Sequence, residues 1–246
     1  FNRNTKLSTV WRSSKAFRSG KSMPYHKISE EEFRKFADDV ALQYVPSLDE
    51  ISLQSLSFPP LQDHLLDLEF SWAEFSSILY SRTSTSPGLD GISYNCLQSL
   101  PEPCLRALLR ILNRLWLQQL IPHAWTIFRI IPIPKSNSDK LRPIALSSCI
   151  RKIVEAMLNV RIRHWAEVQG FLPSNCFGFR NKRSSMDCVS TLVSDIYQAF
   201  TDKCHLNALF LDIHSAFPSV SLPVLWYSLT KLGIPLHCSS FILSLM

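Results

Sequence analysis

The chain has 246 residues, 46% hydrophobic and 19% charged, close to average globular usage, which excludes wholesale disorder, collagen and coiled coil. No uninterrupted apolar run approaches the roughly 18 residues of a spanning helix, so a helical integral membrane protein is excluded as well. The net charge of +6 is segregated: residues 1–35 carry 9 basic and 3 acidic groups, 36–100 carry 1 and 9, 101–246 carry 16 and 8, and 129–183 alone carry 11 and 3. Such clustering suits a polyanion, of which nucleic acid is the commonest, although solvated helix faces would account for charge taken alone.

In chain order, the first 22 residues hold six basic groups (Arg3, Lys6, Arg12, Lys15, Arg18, Lys21) and no acid, a composition that transit peptides share. Ser29 followed by Glu30, Glu31 and Glu32 reads as a capping box opening a helix through Phe33, Phe36, Val40 and Tyr44, stopped by Pro46. A Pro- and Ser-rich loop covers 46–63, and a short helix near 71–80 leads into the turn cluster Ser84 to Gly91, which holds two of only six glycines. From Pro103 to Leu120 the set Leu105, Leu108, Leu109, Leu112, Leu115 and Trp116 follows helical period, with Arg106, Arg110 and Arg114 on another face and Pro122 beyond. Residues 127–134 and 141–146 are short, proline-bounded strands joined by a loop.

Ser147 is expected to cap the next helix, with Ile150, Ile153, Val154, Met157, Leu158, Ile162 and Trp165 inward, Arg151, Lys152, Arg161 and Arg163 outward, and Gly170 as its stop. A further helix presents Val189, Leu192, Val193, Ile196 and Phe200 on one face. Leu206 to Leu211 is a near-continuous apolar run, which predicts a strand buried on both faces. A last helix carries Leu222, Leu225, Trp226, Leu229 and Leu232 and is closed by Gly233. The chain starts at Phe1, and 239–246 reads as the middle of a helix, so the sequence is taken as a piece of a longer one. Seven cysteines without a C-x-x-C pair write neither a zinc site nor a disulfide framework and predict a reducing compartment.

Asp212 stands at the C-terminal end of the expected buried strand. An ionised carboxylate there is costly unless cations or donors compensate it, so the position reads as a metal ligand or catalytic group; an Asp capping the next helix is the structural alternative. Phe36-Ala37-Asp38-Asp39 also looks like a paired-carboxylate motif, but it lies far upstream inside a helical period, and adjacent aspartates on an exposed helix face are the better reading.

Four pieces in order, Ser86-Pro87-Gly88-Leu89-Asp90-Gly91-Ile92, Ile131 to Lys135 with Leu141 to Leu146 and Lys152 to Glu155, Gly178-Phe179-Arg180, and Leu209 to Phe217, make the chain resemble the reverse transcriptase domain of non-LTR, jockey-like retrotransposons. The resemblance implies an α+β, right-hand polymerase fragment: mostly helical fingers with a small β-hairpin, plus the first strand and helix of the palm. It divides the chain into a linker region at 1–83, fingers at 84–205 and the start of a palm at 206–246. It implies RNA-directed DNA polymerase activity with Mg2+ or Mn2+, an RNA template, a DNA primer and dNTP, no membrane, and a place in the nucleus and in cytoplasmic ribonucleoprotein.

Within the resemblance, Asp212 is the first metal-binding carboxylate and the catalytic residue, with the backbone carbonyl of Ile213 as an extra oxygen ligand. Phe217 matches the steric gate that selects dNTP over NTP. Lys135 and Arg142 match the fingers' triphosphate grip. Arg180, Arg151, Lys152, Lys182 and Arg183 are the expected nucleic-acid contacts. Two departures stand out: Pro218 follows Ala216-Phe217 where the family has Asp, a position that Pro tolerates as the first turn of a helix, and 213–246 contain no Asp or Glu, so the family's second carboxylate motif is missing from this sequence. The expectation is weak nucleic-acid binding and no polymerisation by these residues alone. The competing readings are a non-catalytic RNA-binding or maturase-like module and phosphotransfer at a strand-end Asp, which the His in Asp212-Ile213-His214 disfavours because phosphatases need a second Asp there.

Overall fold

The structure, a computed structural model, describes residues 30–44, 64–83, 85–134, 141–213, 216–217 and 219–246. Among the described residues the chain is a mixed fold of helices with one two-stranded antiparallel sheet, and it separates into two compact units, one formed by 1–158 with 221–246 and the other by 159–220. Among the described residues no helix is long and apolar enough to cross a membrane.

In the first unit, α1 (Glu30–Tyr44) opens with three glutamates, which favours the positive end of the helix dipole; the expected cap, Ser29, lies outside the described residues. Its Asp38 and Asp39 are exposed, as an ordinary solvated helix face requires. Helix α2 (Trp72–Ser81) begins with a reciprocal capping box: Ser71 Oγ accepts from Glu74 N at 3.2 Å, and Glu74 Oε2 accepts from Ser71 N at 2.8 Å. Its last carbonyls are satisfied from the short helix α3 (Tyr94–Gln98), where Gln98 Nε2 donates to the carbonyls of Leu79 and Arg82.

The core forms around α4 (Glu102–Leu117), which buries Leu105, Leu109, Leu112 and Trp116 at helical spacing and leaves Arg106, Arg110 and Arg114 exposed, as the sequence pattern predicts. Asn113 acts as a side-chain strand: its amide donates to Phe70 O at 2.9 Å and its carbonyl accepts from Phe70 N at 2.8 Å. Trp116 donates Nε1–H to Asp67 O and meets Phe70, His237 and Phe241 with ring centroids 4.9–5.4 Å apart. The last two residues belong to α9 (Leu236–Leu245), which also buries Cys238, Leu243 and Leu245. The contact is sealed by backbone groups: Gln119 Nε2 donates to His237 O, and His237 Nε2 lies 3.1 Å from Trp116 O, so that ring nitrogen carries the proton.

After the single turn α5 (His123–Thr126), β1 (Arg129–Pro134) and β2 (Leu141–Leu146) pair antiparallel from Arg129↔Leu146 to Pro134↔Leu141. Pro132 faces Pro143, so neither donates there, as suits a hairpin confined to two strands. The chain then enters α6 (Cys149–Val168) one residue later than Ser147 would dictate: Ser148 is the cap, its carbonyl accepting from Lys152 N and its Oγ from Ile150 N. Cys149, Ile153, Val154, Met157, Leu158 and Trp165 are buried. Helix α8 (Leu222–Lys231) is the remaining element of this unit among the described residues.

The second unit contains α7 (Ser185–Thr201), opened by a capping box between Ser184 and Asp187. This helix buries no side chain; Val189, Val193 and Phe200 of its expected inner face are exposed, and Leu192 and Ile196 half-buried. Helices α4, α6, α7 and α8 all end alike, in a left-handed residue at Gln119, Gly170, Lys203 and Gly233. In each, that residue's amide and the next one reach back to the last turn, for example Gly170 N to Glu167 O and Phe171 N to Ala166 O.

One expected element is corrected. Residues 206–211 form no strand: they have no regular secondary structure and are exposed, Leu209, Phe210 and Leu211 at 79–84%. A strand exists through its ladder, and among the described residues β1 and β2 are hydrogen-bonded only to each other. The apolar run marks a segment that needs covering; it carries no information on what covers it.

Candidate nucleotidyl-transfer and nucleic-acid site

Residues 85–91 of the turn cluster have a definite place. Gly91 sits at φ +70°, its amide bonds back to Gly88 O, and Asp90 Oδ1 accepts from Ile92 N, the Asx turn that makes aspartate suit this position. Gly88 is pressed onto the entrance of α6: a Cβ there would lie 2.7 Å from Ser147 C and Ser148 N. Glycine is therefore required by contact, and the turn fixes the point where β2 becomes α6. Tyr94 and Cys149 lie in the same unit; burial, reinforced by the nearby Cys149 thiol, pushes the Tyr94 phenol up to about 12, and burial likewise raises Cys149, so both stay neutral near pH 7. Cys149 is a packing residue and offers no thiolate nucleophile.

Of the two residues expected to grip triphosphate, Arg142 is exposed on β2 opposite Ile133, where its guanidinium can meet solvent or an anion; Lys135 lies outside the described residues.

The basic residues of α6 divide, and the sequence placed two of them wrongly. Arg151 and Arg161 are not on the outer side but buried, at 8% and 6% exposure. Arg151 donates Nε–H to Glu155 at 2.6 Å, one Nη to Trp125 O at 2.5 Å and the other to Leu245 O at 2.6 Å, while its guanidinium carbon lies 4.7 Å from the Phe128 ring centre. Every face of the fork is engaged within its own unit, so Arg151 is a structural clasp rather than a phosphate contact. Lys152 is half-buried and Arg163 exposed.

The expected contacts Arg180, Lys182 and Arg183 come together in the loop 171–184 of the second unit. Arg180 makes a bidentate pair with Glu167, Nε to Oε1 at 2.8 Å and Nη2 to Oε2 at 2.6 Å, and its third nitrogen donates to Pro173 O and Cys176 O. The hydrogen bonds from Arg180 hold the Glu167 carboxyl below the usual carboxylate range and raise Arg180 in turn. Arg183 donates to Ser174 O at 3.0 Å and lies 5.6 Å over the Phe177 ring, leaving much of it in solvent. Lys182 is exposed and has no hydrogen bond or ion pair among the described residues.

Asp212, Ile213 and Phe217 all lie on the exposed segment after α7, Ile213 at 73% and Phe217 at 81%. Asp212 is a hard oxygen ligand of the kind a magnesium ion takes, but one carboxylate is a single corner of such a site. Among the described residues no three His, Cys, Asp or Glu side chains come together to hold a metal. The residues fit the ion in kind and not in number.

The stretch of sequence that carries β2, the basic loop and the exposed Asp212 matches a known family model. Residues 133–245 fit the family model for Reverse transcriptase (RNA-dependent DNA polymerase), and this part of the chain is similar to reverse transcriptases of the non-LTR, jockey-like kind. The chain is 33% identical over 140 residues to the "Probable RNA-directed DNA polymerase from transposon BS" of Drosophila melanogaster, covering 55% of this chain and 16% of that protein. Over 148 residues it is 31% identical to the same organism's "Probable RNA-directed DNA polymerase from transposon X-element", 58% of this chain and 16% of that one. It is also 29% identical over 155 residues to its "RNA-directed DNA polymerase from mobile element jockey", 61% and 17%. The chain thus spans about a sixth of the length of these curated relatives.

Proposed function

We propose that the protein to which these residues belong is an RNA-directed DNA polymerase of a non-LTR retrotransposon, extending a DNA primer on an RNA template with dNTP, in the nucleus and in cytoplasmic ribonucleoprotein. In this reading 1–83 precede the polymerase, 84–205 are its fingers and 206–246 open its palm. The observation that carries it is the family match over 133–245, an interval that contains Lys135, Arg142, Arg180, Asp212 and Phe217.

Asp212 and the carbonyl of Ile213 would be two of the oxygen donors to a divalent cation, Mg2+ or Mn2+, which would supply charge neutralisation to the triphosphate. Lys135 and Arg142 hold triphosphate oxygens, and the Phe217 ring occupies the space a ribose 2′-hydroxyl would need. Lys152, Lys182 and Arg183 track the nucleic-acid backbone; Arg180 acts through the loop it shapes.

The test is primer extension on an RNA template by a polymerase that continues into a second carboxylate motif. Asp212→Asn abolishes incorporation, Phe217→Ala raises NTP use against dNTP by roughly tenfold or more, and residues 1–246 alone extend nothing. Full activity in Asp212→Asn overturns the assignment, and Asp212-dependent extension by 1–246 overturns the half-site reading.

A further inference from the structure

The second unit carries a feature that the assigned roles do not use. Phe179, between Gly178 and Arg180, is 88% exposed, and its backbone is left-handed at φ +58°. A bulky aromatic at positive φ is an outlier, because Cβ crowds the following carbonyl, and it persists only where its surroundings impose it. Here they do. Arg163 donates to the Phe179 carbonyl, Arg180 ties Pro173 O and Cys176 O to Glu167, and Arg183 ties Ser174 O. Three arginines therefore set the loop and hold the ring in water, where it buries almost nothing and contributes nothing to a core. Lys182, a second non-glycine residue in the left-handed region (φ +56°), and Arg183 stand on the same loop with exposed charge, and Arg163 is exposed beside it.

We propose that Phe179 is a stacking platform for an unpaired base of a single-stranded nucleic acid whose backbone is held by Lys182, Arg183 and Arg163. This rests on the reading of the basic segment as the nucleic-acid face and deepens it. The chemistry selects the ligand. A flat π-face rimmed by cations fits a base with its phosphates; a duplex keeps its bases stacked on one another, and offers the ring no free face. A rigid, pre-set ring also loses little conformational freedom on binding.

Binding is measured by fluorescence anisotropy with residues 1–246, using a labelled 12-nucleotide RNA, the same length of abasic strand, and an RNA duplex, across a salt series. Wild type should prefer the 12-mer over the abasic strand and the duplex. Phe179→Ala and Phe179→Gly should each weaken 12-mer binding roughly tenfold or more, with the slope of log affinity on log salt unchanged; Phe179→Trp should keep the affinity. Lys182→Ala should instead lower the slope by about 0.7 for all single strands. Phe179→Gly should raise the thermal midpoint, since glycine accepts this φ freely and no buried contact is lost. Salt-steep binding that ignores Phe179, or a lower midpoint for Phe179→Gly, overturns the stacking role alone. Binding by wild type that is flat in salt overturns the reading of the basic face beneath it.

Discussion

Helices α4 and α7 are alike in sequence and opposite in structure. Each is amphipathic, each has an acid in its first turn, and each ends in a non-glycine residue at positive φ, Gln119 and Lys203. Yet α4 closes its apolar stripe around Trp116 against α9 and the 64–70 segment, whereas α7 has no buried side chain and is followed by the exposed run 206–213. Periodicity states which side of a helix must be covered. It does not supply the cover, and stability resides only where two such sides have met.

Substitutions can break or sharpen that contrast. Trp116→Ala should have the largest effect, costing about 3–5 kcal/mol in chemical denaturation, while Phe200→Ala on α7 stays within about 0.5 kcal/mol. A comparable loss from both would mean that α7 is covered. Arg151→Ala should cost about 2–3 kcal/mol by stranding the carbonyls of Trp125 and Leu245, yet leave the salt slope of RNA binding unchanged; a shallower slope would return Arg151 to the phosphate face. Gly88→Ala should cost about 1–3 kcal/mol, because its new methyl meets backbone, which cannot swing aside as a flexible side chain would. Lys203→Gly should stabilise by about 0.5–1 kcal/mol, detectable as a higher midpoint for the second unit.

The gentlest perturbation is acid. The folded Glu167 carboxyl titrates below its unfolded value, so the Glu167–Arg180 pair contributes fully above the ordinary carboxylate range, and that contribution is lost as pH falls through the depressed folded value. Asp187, depressed by its hydrogen bonds from Ser184, has the same sign. Amide exchange in 171–187 should quicken as pH falls below about 4 relative to α4, after correction for intrinsic rates, and Glu167→Gln should remove most of that difference. Equal protection at all pH values would show the loop to be held by other means.

What the sequence disclosed was local. The hairpin at 129–146, the stop at Gly170 and the helical spacing of α4 and α6 depend on neighbours within one or two turns, and they stand. What it concealed was long-range. Arg151 carries the same charge as Arg163, and only partners 26 and 94 residues away decide that one is buried and the other exposed. The candidate site was legible as a set of residue types, Asp212 after an apolar run, arginines around a glycine turn. The exposure of Phe179 left no trace in the pattern, because an aromatic beside glycine and arginine reads equally as core. Its left-handed backbone and that of Lys182 show only in the structure, where such a position without glycine marks a backbone held by its surroundings.

The first unit is written in two separated stretches of the gene, 1–158 and 221–246, with the second unit between them. A nascent chain leaving the ribosome therefore presents the indole of Trp116 long before His237 and Phe241 exist to shield it, and the whole inserted unit is synthesised during the wait. Maturation of that centre is bound to the late arrival of its final helix, which makes the interval of translation, more than the final contacts, the period when this chain is most open to chaperones and to misassembly.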